Sequence, residues 1–251
     1  MPYGLYLSAE GAQAQSRRLE AIANNMANAN TVGFKPDVAL FQSRFAEAIQ
    51  QNQAVPGIGG PNDIGGGVKA IETVTNFAPG KLQKTGNAAD LAIIGQGFFQ
   101  VAAPGGEALL TRAGNFSVDS QNRLVMAGSN MPVLDAGGSA IELDPALPWG
   151  VSPGGSIEQA GELTPLAIVE PESLGDLQKA GANLFRSRSE PLPVAPQNRE
   201  VRQYFLEMSG ANPTTEMMSM IETSRAFEAN TKMIQNHDQM LSGLVNRVLS
   251  V

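Results

Sequence analysis

Residues 213–251 read PTTEMMSMIETSRAFEANTKMIQNHDQMLSGLVNRVLSV, and this stretch decides the fold. Met220, Phe227, Ile234, Leu241 and Val248 recur every seventh residue along it. Asn212 ahead of Pro213 offers a capping side chain followed by proline at the first helical position. A sustained seven-residue apolar repeat predicts a helix from Pro213 to the C-terminus, with a seam that meets another helix rather than a sheet. Met217, Leu244 and Val245 widen the stripe, while Ser224, Thr231 and Asp238 dilute it into an imperfect coiled coil. Such a helix spans roughly 50 Å at 1.5 Å per residue. No compact β-domain of this size covers that length, so the helix is expected to project and to seek a partner.

The other end of the chain supplies a candidate. Leu5, Ala9, Ala12, Leu19, Ile22 and Met26 share one helical face over residues 1–30, with Glu10, Gln15, Arg17 and Glu20 opposite. Asn28 to Gly33 should end that helix, because Asn and Gly accept the left-handed backbone of a C-cap. Phe41, Phe45 and Ile49 suggest a second, short helix from Asp37, and residues 51–67 read as an irregular linker. From Val68 onward the pattern becomes short apolar runs between turns. Expected strands are Leu91–Ile94, Phe98–Val101, Ala108–Thr111, Phe116–Val118, Leu124–Met126, Ile141–Leu143 and Leu166–Val169. Turns are expected at Pro104–Gly106, Asp119–Asn122, Asp135–Gly138 and Pro153–Gly155. The predicted fold is α+β: long N- and C-terminal helices paired in a coiled-coil-like inner domain, flanking a central all-β domain. Its divisions are 1–36 (helix), 37–70 (short helix and linker), 71–205 (β-rich) and 206–251 (helix).

Composition narrows the function. Of 251 residues, 42% are hydrophobic and 16% charged, which is globular rather than disordered. Counts of 27 Gly and 16 Pro agree with a middle built from strands and tight turns. A net charge of −7 with no Lys/Arg cluster argues against nucleic acid as a partner. Without cysteine there is no disulfide, thiolate nucleophile or Cys metal site. The N-terminus lacks the basic start and apolar run of a cleavable signal, and Leu91–Val101 is too short to span a bilayer, so no direct membrane insertion is expected.

Nothing in the chain reads as catalytic, cofactor-binding or metal-binding. Gly95-Gln96-Gly97 lacks the rest of a dinucleotide fingerprint and is expected to be a tight hairpin. His237, the single histidine, sits on the long helix as a polar seam position. Glu170 and Glu172 flank Pro171 on a solvated edge rather than forming an acid–base pair. The methionines 217, 218 and 220 suit an adaptable helix interface.

Three stretches carry a resemblance. Ile22-Ala-Asn-Asn-Met-Ala-Asn-Ala-Asn-Thr-Val-Gly-Phe-Lys35 resembles the N-terminal signature of bacterial flagellar rod and hook proteins. Leu82–Val101 with Thr111-Arg-Ala-Gly-Asn-Phe116 resembles a second family region. Met220-Ile221, Ser224–Asn230 and Asp238–Leu241 resemble the family's C-terminal helix. The resemblance implies terminal helices that form the inner, tube-building layer and a β-domain that faces outward. It implies a structural subunit, not an enzyme, located in the basal body across the periplasm and delivered by the flagellar type III export apparatus without signal cleavage. Its partners would be copies of itself and other flagellar axial proteins, and it would need no cofactor.

Within that family, the length and single modest β-domain suit a proximal rod position better than a distal rod or hook position. The run Ser209-Gly-Ala-Asn-Pro213 departs from the family's usual Ser-Asn-Val-Asn turn. The assembly seam is expected at Leu19, Ile22 and Met26 against Phe227, Ile234 and Leu241, with Met220 and Val248 extending it. Asn24, Asn25 and Asn28 are expected as inter-subunit hydrogen-bonding groups or caps. Both helical ends are expected to order when a neighbour supplies the other half of the seam. A competing reading, a secreted β-domain enzyme or carbohydrate binder, would need a concave cluster of carboxylates or aromatics.

Overall fold

A computed structural model describes residues 2–43, 68–181, 183–195 and 198–249. The chain forms two compact units, one of residues 1–27, 37–76 and 212–251, the other of residues 28–36 and 77–211.

The first unit contains the two long helices. α1 (Pro2–Ala27) and α2 (Pro213–Leu249) are 26 and 37 residues long. Asn212 caps α2 as its sequence predicts: its side-chain oxygen accepts from Thr214 N–H at 3.1 Å, and its carbonyl from Glu216 N–H at 2.9 Å. The helices run antiparallel, since Gly4 lies against His237 and Gly11 against Asn230.

Residues 37–43 are not helical. They form strand β1 (Asp37–Ser43), which pairs antiparallel with β2 (Val68–Thr75). The β-branched run Thr73-Val74-Thr75 offers a ladder partner that outweighs local helical spacing. Asn25 fixes the start of β1, donating to Asp37 C=O and accepting from Asp37 N–H, both at 2.9 Å. Phe45, Ile49 and the expected linker at 51–67 lie outside the described residues.

The second unit is β-rich. Its strands in chain order are β3 (Leu82–Lys84), β4 (Leu91–Ile94), β5 (Phe98–Ala102), β6 (Ala108–Thr111), β7 (Phe116–Val118), β8 (Leu124–Met126) and β9 (Trp149–Val151). There follow β10 (Ser156–Gln159), β11 (Glu162–Pro165), β12 (Ile168–Glu170), β13 (Leu177–Gly181), β14 (Leu184–Ser187), β15 (Leu192–Pro193), β16 (Glu200–Gln203) and β17 (Phe205–Glu207). The largest sheet has six strands in the order β13-β14-β6-β5-β12-β15, with every pairing antiparallel. Doubled apolar pairs in its strands explain why they read as continuous runs. Phe98, Leu110, Val169 and Phe185 bury one face, where Phe77 stacks on them. Their neighbours Phe99, Leu109, Ile168 and Leu184 enter the main core with Leu91, Phe116, Leu124 and Leu166. Successive residues point to opposite faces, so a strand buried on both sides needs apolar residues at every position.

Two sequence expectations fail here. Gly95 and Gly97 adopt positive φ as turn residues, but β4 pairs with β16 and β5 with β6 and β12, so they join two sheets instead of closing a hairpin. Ile141 and Leu143 are buried, yet their segment makes only the isolated bridges Arg123–Glu142 and Leu134–Ala140. The expected turns at 104–106, 119–122 and 153–155 each close a hairpin, and 135–138 closes a bridged loop.

Candidate functional site

In the helical unit, the α1 contact surface is made of small residues. A Cβ on Gly4 would stand 3.1 Å from the His237 imidazole, and one on Gly11 would stand 3.1 Å from the Asn230 amide. Ala14 is buried on the same side. This is not the Leu5-Ala9-Ala12 stripe read from the sequence; Ala9 is exposed. Small side chains let two backbones approach, a gain that an apolar periodicity count does not register. Continuing the register set by Gly4 and Gly11 places Phe227 level with Ala14, Ile234 with Leu7, and Met220 near Ile22. Phe227, Ile234 and Met220 are half-buried accordingly, and Ile22 is buried. Leu19 and Met26 are half-buried.

Past the start of α1 the register has nothing to offer α2. Leu241, Leu244 and Val245 are 38, 46 and 53% exposed on that continuing stripe. Val248 lies in the helix, with its side chain outside the described set. Met217, which widens that stripe, is also exposed, as are Met218, Ile221, Met233 and Met240 elsewhere on α2. Of the asparagines expected to act at an interface, Asn25 is buried and taken up by Asp37, Asn28 accepts from the Thr31 hydroxyl and backbone N–H, and Asn24 is exposed.

In the β-rich unit, a second constellation joins the tails of two sequence motifs. Residues 28–36 lie in this unit rather than with the helix that precedes them. Gly33 N–H donates to Glu207 C=O at 2.7 Å, Gly210 N–H to Phe34 C=O at 2.9 Å, and the Asn183 amide to Val32 C=O at 2.7 Å. Gly33 has φ +67°, and a Cβ there would meet the backbone of Arg112 and Ala113 at 2.5 and 2.4 Å. Glycine is required twice over, by conformation and by space. Gly114 is required by space alone: its Cβ would fall 1.6 Å from Leu91 C=O.

At the centre lies a buried ionic cluster. Glu207 Oε1 accepts from Lys35 Nζ at 2.6 Å and from Gly80 N–H at 2.8 Å. Its Oε2 receives Arg112 Nη1 at a long 3.4 Å. Lys35 also donates to Ala78 C=O, and Arg112 to Gly95 C=O at 2.7 Å, with its guanidinium 5.1 Å from the Phe98 ring centre. The three side chains are 1, 7 and 2% exposed for Lys35, Arg112 and Glu207. Burial pushes Lys35 below the ordinary lysine range, with Glu207 opposing that shift. Burial likewise lowers Arg112. Two cations share one carboxylate, and Arg112 Nε has no hydrogen-bond partner.

Sequence reading missed this cluster. Glu207 follows the apolar Phe205 and Leu206, yet both are only half-buried while the carboxylate is buried. The one available signal was Lys35, a cation between Phe34 and Pro36 in a motif otherwise poor in charge.

Glu170 and Glu172 rim an open groove of about 630 Å³ with Gln96, Leu192, Pro193 and Asn198. Among the described residues lining it there is no aromatic ring on which a sugar could stack, and no histidine or lysine.

Three family profiles match along the chain: "Flagella basal body rod protein" over residues 5–35, "Flagellar hook protein FlgE/F/G D1 domain" over 92–164, and "Flagellar basal body rod FlgEFG protein C-terminal" over 202–247. The flagellar basal-body rod protein FlgF of Caulobacter vibrioides is 34% identical over 99% of this chain and 98% of its own length. FlgG of Bacillus subtilis is 33% identical, covering 96% of this chain and 97% of its own. FlgG of Caulobacter vibrioides is 30% identical, covering 94 and 96%. With relatives aligned end to end and profiles at the helix, the β-rich region and the C-terminal helix, this chain belongs to the flagellar basal-body rod protein family.

Proposed function

We propose that this chain is a structural subunit of the flagellar basal-body rod, adding to copies of itself and to other axial proteins through its terminal helices. The observation that carries the reading is the unequal length of the helices, 37 residues against 26, with an apolar stripe exposed on the overhang. Leu241, Leu244 and Val245 need another chain to cover them. Covering the exposed part of these side chains is worth roughly 1 kcal/mol each. Contacts of this kind, made head to tail and not closing into a ring, build a helical polymer. The seam begun within the chain, where Phe227, Ile234 and Met220 lie level with Ala14, Leu7 and Ile22, is completed between subunits by Leu241 and Val248 on the overhang, with Asn24, Leu19 and Met26 beside it on the α1 side. A rigid helical tube so built transmits torque from motor to hook.

Within the family we take the FlgF-like, proximal position. Its support is the higher identity to FlgF than to FlgG of the same organism, 34 against 30%. Delivery by the flagellar type III export apparatus without a cleaved signal follows from the same reading. No described helix is long and apolar enough to cross a membrane. A structural role needs no active site, so the subunit is not an enzyme and binds no cofactor.

Deleting the gene and imaging isolated basal bodies by electron microscopy tests the reading. Non-motile cells with truncated rods and no hooks are expected, and a stub shorter than a distal-rod deletion leaves would fix the proximal position. Complete basal bodies in swimming cells would refute it.

A further inference from the structure

Glu207 is reached by three segments far apart in sequence, and it comes last in the chain. Lys35 and Arg112 stand on the same carboxylate, each otherwise bound only by carbonyl oxygens and, for Arg112, the Phe98 ring. We propose that Glu207 is a charge lock that makes closure of the β-rich unit conditional on the C-terminal part of the chain. A chain is made from its N-terminus, so Lys35 and Arg112 are both present long before residue 207. Until Glu207 arrives, closing the unit would bury Lys35 with no paired carboxylate beside a second buried cation, Arg112, which is strongly unfavourable. Once it arrives, its two oxygens take both cations and the Gly80 N–H at once.

The backbone enforces the same order. β4 supplies Leu91, Ala92 and Ile93 to the core, and its ladder partner is β16; β3 pairs with β17, which ends at Glu207. An incomplete chain therefore lacks both the strand partners and the counter-ion, and it stays open. Glu170 is the other carboxylate whose charge acts on Arg112, whereas no carboxylate but Glu207 is paired with Lys35 among the described residues. Lys35 is thus the cation that loss of Glu207 strands. This lock rests on the geometry of the β-rich unit and goes beyond the assembly role proposed above.

Thermal unfolding of the purified full-length chain tests it with Glu207→Gln, Lys35→Met and the double variant. Glu207→Gln keeps the shape and removes the charge; its Tm is expected to fall by about 10 °C. Adding Lys35→Met removes the stranded cation and should restore at least half of that loss. A double variant as unstable as Glu207→Gln, or less stable, would show that the cluster acts by packing and hydrogen bonding alone and would overturn the lock. Should Glu207→Gln accumulate unfolded, near-ultraviolet circular dichroism of the double variant decides: a folded signal supports the lock, and an unfolded one refutes it.

Discussion

Replacing Gly33 by alanine tests whether the tail of the N-terminal signature belongs to the β-rich unit. At φ +67° an L-residue costs about 1 kcal/mol in backbone energy. The added methyl group would also meet the backbone of Arg112 and Ala113 at under 2.6 Å. Backbone cannot swing aside as a side-chain tip can, so overpacking adds about 1–3 kcal/mol. The expected loss is roughly 2–4 kcal/mol, read as a fall in Tm of about 10 °C at this chain length. Gly86→Ala is the control, because a Cβ there meets nothing within 4 Å. It should stay within about 0.5 kcal/mol of the parent. Urea unfolding of the full-length variants, followed by near-ultraviolet circular dichroism, reads both values. A Gly33→Ala midpoint equal to that of Gly86→Ala would mean that residues 31–35 do not dock as described, and the reasoning on the motif would fail.

Three further outcomes are expected. Phe227→Asp puts a charge into the half-buried α1–α2 contact; cells carrying it should not swim, while the β-rich unit of the purified chain keeps its unfolding transition. Phe99→Ala removes a fully buried ring packed edge-on at 5.2 Å from Phe116, and calorimetry should show a loss of about 3–5 kcal/mol. The third concerns pH. Burial lowers the Lys35 pKa in the folded chain, so over the window between that lowered value and the ordinary 10.5 the unfolded chain binds more protons. Stability then rises with pH across the window. Urea midpoints of the parent should therefore gain on those of Lys35→Met as pH rises toward the ordinary lysine value of 10.5; parallel profiles would contradict the assignment.

The α+β class and the two terminal helices were legible because each rests on a local signal: a seven-residue repeat, and an Asn-Pro start that caps α2 as expected. The strands Leu91–Ile94, Ala108–Thr111, Phe116–Val118 and Leu124–Met126 were legible from apolar runs between turns. What escaped depends on partners distant in sequence. β1 became a strand because Val68–Thr75 pairs with it and Asn25 holds Asp37. The Gly95–Gly97 turn joins two sheets because β16, a hundred residues on, takes β4. Glu207 is buried although charged, while the apolar Phe205 and Leu206 beside it are only half-buried, because two cations from elsewhere meet it. Local pattern reports which face an element can bury; it does not report a carboxylate whose burial is made tolerable by Lys35 and Arg112.

The N-terminal signature shows the same division within fourteen residues. Its first half, Ile22 to Met26, belongs to α1 and to the helical unit; its last half, Thr31 to Lys35, belongs to the β-rich unit. A single continuous motif therefore answers to two different physical demands, helix packing at one end and a left-handed, close-packed backbone with a buried cation at the other. Substitutions at its two ends should separate accordingly. Changing Ile22 should impair assembly while the β-rich unit retains its stability, whereas changing Gly33 or Lys35 should lower the stability of that unit in the isolated subunit before any assembly is attempted. A motif read as one signature is thus two short sites in series, and its length reflects the need to specify both ends of the crossing between the units.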